Sequence, residues 1–275
     1  MKTVHNLIAF AGAACLLAAC GGGSNDVGKE VGLQTPEIHF VNAVPIAPNG
    51  SAAPNLDLFV NGSTLSGQTN VPYKGVTNFA NIGTGSTQVG YGVTGSSASS
   101  ALASGTFPDV ANGHEYTVIA LPSITASNGY GIGLIDDPFD KGLLSNQARV
   151  RSFNASPNAA DVDVYIVPPG TTSVAGFSPT MAGVSYGHAV PASGQDSLYF
   201  SGGNYMAIVT AAGTTAPIYE SAQFNLANNA DWLISTVPAG GVASALVPGQ
   251  IHLLVAQGGN TSQPALELAN ALTGH

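Results

Sequence analysis

One set of strand-like landmarks occurs twice along this chain, and the duplication limits the fold more than any single motif. IHFVNAVP (38–45) lines up with VRSFNASP (150–157), placing Asn42 over Asn154 and Pro45 over Pro157. LDLFV (56–60) lines up with VDVYI (162–166), placing Asp57 over Asp163. NVPYKG (70–75) meets GVSYGH (183–188), with Tyr73 over Tyr186. VANGHEYTVI (110–119) meets LANNADWLIS (226–235), with Tyr116 over Trp232. The four landmarks keep their order at offsets of about 106 to 116 residues. A repeat of that length is a domain, far above the roughly 20–50 residues of a solenoid unit.

Within the landmarks, apolar and polar residues alternate. Leu56, Leu58 and Val60 share one face, as do Val162, Val164 and Ile166. A period of two with one polar face is a half-buried strand. Only 8% of residues are charged, which suits short strands and turns better than surface helices built from Glu, Lys, Arg and Leu. Helical spacing persists only in the tail, Pro264–Leu272. The expected fold is all-β: two tandem immunoglobulin-like β-sandwich domains at 36–140 and 147–258, joined near Asp136–Asn146, with a C-terminal tail at 259–275.

The N-terminus reads differently. Met1-Lys2 supplies one positive charge, and Leu7 to Ala19 is apolar or small throughout. A charged start followed by a short apolar core is a secretory signal peptide, too short for a membrane span. Its end, Leu17-Ala18-Ala19-Cys20, resembles the lipobox of bacterial lipoproteins, which implies a signal peptide at 1–19 and lipidation of Cys20. Cys15 leaves with that leader, so Cys20 is the one cysteine remaining and no disulfide is expected in an exported fold. Gly21 rather than Asp follows Cys20, which in Gram-negative lipoproteins of this pattern implies the outer membrane. Residues 20–35 are rich in glycine and read as a lipidated cysteine with a flexible tether, reaching about 20 Å.

ARVRSFNASPNAADVDVYI (148–166) resembles the opening of a bacterial module known as domain of unknown function 4397. That module runs A-R-V-R, A-S-P and a V-D-V-Y strand, then V-P-Y-G and a Y-T-V strand. NVPYKG and EYTVIAL in the first copy match its later motifs, while Glu37-Ile38-His39-Phe40 replaces its opening. The resemblance implies an exported β-sandwich, often in tandem on envelope lipoproteins, with no catalytic residues to transfer.

Several motifs suggest chemistry. GVSYG (183–187) fits G-x-S-x-G, but no helix follows Ser185 and the other copy has Pro72 in its place. DDPFDKG groups Asp136, Asp137 and Asp140 as weak Ca²⁺ candidates without the spacing of a calcium loop. His39, His114, His188, His252 and His275 form no metal-binding pair, and His39 and His188 read as solvated. No metal site and no cofactor are expected. Tyr73, Tyr130 and Tyr186 lie near loops and are candidates for stacking on a sugar or a protein side chain, or else for filling the core.

With Lys2 removed, five basic residues face fifteen acidic ones. That excludes a nucleic-acid partner, which needs clustered Lys and Arg. The expected function is an envelope-anchored lipoprotein, attached to the membrane through Cys20, that binds a protein or glycan or serves structurally. The alternative is a hydrolase acting on an envelope or extracellular polymer. That alternative requires carboxylates converging on one cleft, and Asp161 and Asp163 are the only acids at i, i+2 on one strand face.

Overall fold

The computed structural model describes residues 24–46, 52–140, 142, 145–159, 161–239 and 250–272. The expected signal peptide at 1–19 and Cys20 lie outside the described residues.

A short helix, α1 (Ser24–Glu30), precedes the first half. That half contains β1 (Glu37–Asn42), β2 (Leu56–Val60), β3 (Ser63–Thr64), β4 (Ala80–Asn81), β5 (Gly85–Val93), β6 (Ala103–Val110), β7 (Glu115–Pro122) and β8 (Tyr130–Asp137). The second half contains β9 (Ala148–Asn154), β10 (Val162–Val167), β11 (Met181–Val184), β12 (Ala189–Val190), β13 (Leu198–Phe200), β14 (Gly203–Ala211), β15 (Pro217–Glu220), β16 (Phe224–Leu226), β17 (Asp231–Pro238), β18 (Ile251–Gly258) and β19 (Ala265–Leu268).

Each half is a sandwich of two sheets. The first pairs β4-β1-β7-β8 with β3-β2-β5-β6; the second pairs β12-β9-β17-β18-β19 with β11-β10-β14-β15. In both halves the opening strand runs parallel to a late one. β1 lies beside β7 with Glu37 opposite Glu115, and β9 beside β17 with Arg149 opposite Asp231. The other pairings are antiparallel, as short turn-linked strands require.

Alternation builds one core inside each sandwich. Phe40, Leu58, Tyr91 and Tyr116 fill the first; Val150, Val164, Val209 and Trp232 fill the second. The repeated polar residues serve the turns. Asn42 donates to the carbonyls of Pro54 and Val71 and accepts from the Val44 amide. Asn154 does the same with Ala159, Val184 and Ser156. Asp57 accepts from the amides of Asn70 and Gly95, Asp163 from those of Gly183 and Gly213. These side chains replace ladder bonds that the loops cannot make.

Three expectations need correction. The tail is not helical: residues 265–268 add strand β19 to the edge beside β18, because Leu266 and Leu268, either side of Glu267, face the second core. Residues 24–35 are not a free tether: α1 and the turn after it sit on the first half, where the Gly113 amide donates to the Gln34 carbonyl at 2.8 Å. His39 is not solvated but only 4% exposed, because the outer face of β1 is covered by the second half.

Candidate functional site

The outer faces of the β1/β7/β8 and β9/β17/β18 sheets pack against each other and form a third core. Val41, Ile119 and Leu121 from one side meet Phe153, Leu233 and Val237 from the other. This explains strands buried on both faces, such as β9, where every residue is buried. At one end of the junction the Tyr186 hydroxyl donates to the Pro122 carbonyl, and the Tyr73 hydroxyl to that of Pro238. The two contacts are counterparts of one another, as a two-fold relation between the halves requires.

The opposite end is ionic. Arg149, 1% exposed, projects from β9 into a ring of acids. It donates to Asp137 at 2.6 Å, Asp196 at 3.2 Å and Asp231 at 3.3 Å, and lies 3.6 Å from Glu115. The Phe139 ring stacks on its guanidinium, with the centroid 4.1 Å from Cζ. Arg151 pairs with Asp137 at 3.1 Å and donates to the carbonyls of Pro191, Ala192 and Gln195. Lys29 enters from α1, reaching Glu115 directly and Glu37 at 3.1 Å. A further pair crosses the junction, Lys74 to Glu267 at 2.7 Å.

Glu115 and Asp231 are neighbours in this ring; burial raises both carboxyls, and the charges around them set the two apart. Burial raises the Glu115 carboxyl, but Lys29, Asp231 and Arg149 together hold it down at about 2. Burial, then the charge of Glu115, pushes Asp231 well above the usual carboxylate range.

His39, Glu115, Asp137, Arg151 and Asp231 line a cavity of about 20 Å³ between the halves. That volume holds a single water. The structure thus brings carboxylates together, but in a space that admits no polymer and against cations that already satisfy them.

The other sequence candidates fall elsewhere. Tyr130 is 7% exposed and packs in the first core. Tyr73 and Tyr186 are half-buried and spend their hydroxyls across the junction. Asp136 pairs with His114 at 2.7 Å, Asp137 belongs to the arginine network, and the Asp140 carbonyl accepts from Tyr199. Among the described residues, no three His, Cys, Asp or Glu side chains gather as metal ligands. Ser185 lies beyond the end of β11, with its hydroxyl 3.4 Å from the Gly183 carbonyl. Asp161 is exposed, and Asp163 holds its turn. The junction itself went unread in the sequence. Its signal was a charged residue at or next to the start of each of four largely apolar strands, Glu37, Glu115, Arg149 and Asp231, with Arg151 two residues after Arg149.

Fold and junction define a class: a double β-sandwich protein whose halves are joined by a shared apolar core with a buried ionic end. Residues 36–165 match the sequence model of a family described as Domain of unknown function (DUF4397), a stretch that covers the first sandwich and runs through β9 into β10. No curated protein matches the chain.

Proposed function

We propose that the chain is an envelope lipoprotein, anchored through Cys20, whose second half is a second copy of the module matched by its first. The paired sandwiches act as a binding or structural module, offering the loops at their ends to a protein or glycan. One observation carries the reading: the two sandwiches share a core and a buried ion network, so they form one packed unit that presents its loops in fixed relation. The acids and bases that could have served catalysis are consumed in holding that unit together. With Gly21 after Cys20, a Gram-negative cell would deliver the protein to its outer membrane.

The test is incorporation of a radioactive fatty acid. The wild-type chain takes up label and sediments with membranes; Cys20→Ala loses both and stays folded. Label entering Cys20→Ala would overturn the anchor.

A further inference from the structure

We infer that the cage around Lys29 is a binding site for a primary alkylammonium group, filled here by the chain's own N-terminal segment. Glu115 and Glu37 hold the Lys29 ammonium from one side. The rings of Phe79 and Phe139 flank it, their centroids 5.6 and 5.4 Å from Nζ. Aromatic faces attract a cation through their quadrupoles, and carboxylates accept its N–H protons. A quaternary ammonium has no N–H to give to Glu37 or Glu115, so the cage selects –NH₃⁺. The walls belong to the body of the molecule: Glu37 to β1, Glu115 to β7, Phe79 to the loop before β4, Phe139 to the connection between halves. The cation alone comes from α1.

The segment that delivers it is otherwise lightly held. α1 has seven residues, too few to be stable alone. Val31 and Leu33 after it are 48% and 78% exposed, so no apolar side chain of that turn is buried. Its remaining ties include a hydrogen bond from the Gly113 amide to the Gln34 carbonyl and one from the Gly142 amide to Glu30. The Lys29 side chain, 11% exposed, is the principal buried anchor. A lysine side chain of a partner, or a small amine with the same terminus, competes with it for the cage and frees the segment. This gives the binding role proposed above a ligand chemistry, and it is independent of whether Cys20 is lipidated.

The test compares the processed chain and Lys29→Ala in thermal unfolding, each with n-butylammonium, tetramethylammonium or sodium chloride at equal ionic strength. Lys29→Ala, which takes the ammonium from the buried Glu115 and the partly exposed Glu37 and leaves Glu115 to Arg149 at 3.6 Å, lowers Tm by about 5–10 °C. n-Butylammonium recovers at least half of that loss and the other salts do not, while wild type does not respond. An unchanged Tm in the variant, or equal recovery in all three salts, or none, overturns the proposal. Should Lys29→Ala fail to fold, the wild-type chain decides. n-Butylammonium then speeds cleavage after Glu30 by a glutamate-specific protease several-fold over sodium chloride, and an unchanged rate overturns the site. Failure here leaves fatty-acid labelling unaffected, so the cage and the anchor are judged separately.

Discussion

His39 carries the clearest acid response of any single residue. Burial first, and the charge of Lys29 with it, outweigh the pull of Glu115 and hold the imidazole at about 4 against an ordinary 6.5. Between those values the unfolded chain binds a proton that the folded chain does not, so stability falls as pH drops from 6.5 to 4, by about 3 kcal/mol at most. Glu115 adds to this lower down: its contribution is present above pH 4.5 and is lost as pH falls toward 2. Asp231, with its folded value raised, acts in the opposite sense, contributing while protonated and losing that contribution as pH rises through the raised value. His39→Gln keeps an acceptor or donor for Thr117, which His39 meets at 2.8 Å. It is expected to flatten the pH 4–6.5 part of the stability curve, read by urea unfolding at several pH values. Arg149→Ala is expected to cost about 3–5 kcal/mol, because it leaves several buried acids without their cation. At this scale the sequence was readable where a side chain serves its own turn. Asn42, Asn154, Asp57 and Asp163 act within their own half, and the asparagines stand just before turn residues, where an amide can bond nearby backbone, while the mid-strand aspartates could equally have faced water. Lys29 and His39 act on partners remote in sequence, and nothing in their neighbourhoods distinguished them from surface residues.

Strands show the same division. β2 and β10 alternate visibly because one face of each packs into its own sandwich and the other carries the turn-binding Asp57 or Asp163, although the second face of β10 is buried too, Tyr165 and Val167 meeting Val174, Met206 and Ile208. β1, β7, β9 and β17 are buried on both faces, and alternation cannot say what covers the second. Close packing of that second face rests on glycine in β8. A Cβ on Gly133 would lie 2.5 Å from the tip of the Phe153 ring. Gly133→Ala therefore has to push Phe153 aside, an overpacking expected to cost about 1–3 kcal/mol. Phe153→Ala removes the ring instead, at about 3–5 kcal/mol. In the double variant the alanine methyl enters space the ring has left, so the two costs are expected to sum to more than the measured total. A double-mutant cycle by denaturant unfolding checks this coupling. The C-terminal tail was misread for a similar reason: four residues of β19 carry too short a pattern to tell edge strand from helix.

Across the whole molecule, five lysines and arginines follow Lys2, and four of them, Lys29, Lys74, Arg149 and Arg151, pair at the junction. A chain so poor in cations has placed Lys29, Arg149 and Arg151 where acids are buried, and only Lys74 of the four meets an exposed partner. Residues 147–275 carry their own core and are expected to fold, with a cooperative melt by circular dichroism. Cut off from the first half, they expose Phe153, Leu233, Val237 and Leu254 together, a face that a lone soluble domain does not leave bare. The fragment is therefore expected to self-associate in sedimentation, while the full chain does not; a strictly monomeric fragment would show that the shared core adds little.

The ionic end of the junction also sets a schedule for synthesis. A ribosome delivers Glu115 and Asp137 before Arg149, Arg151 and Asp231 exist, and domains generally fold as they emerge. The first sandwich must therefore wait, its outer strip of Val41, Ile119 and Leu121 wet and Asp137 without its arginines, until more than ninety further residues follow Asp137 and reach Asp231. For that interval the nascent chain is a sticky, half-finished object, and the cell must escort it with a chaperone or move it along unfolded.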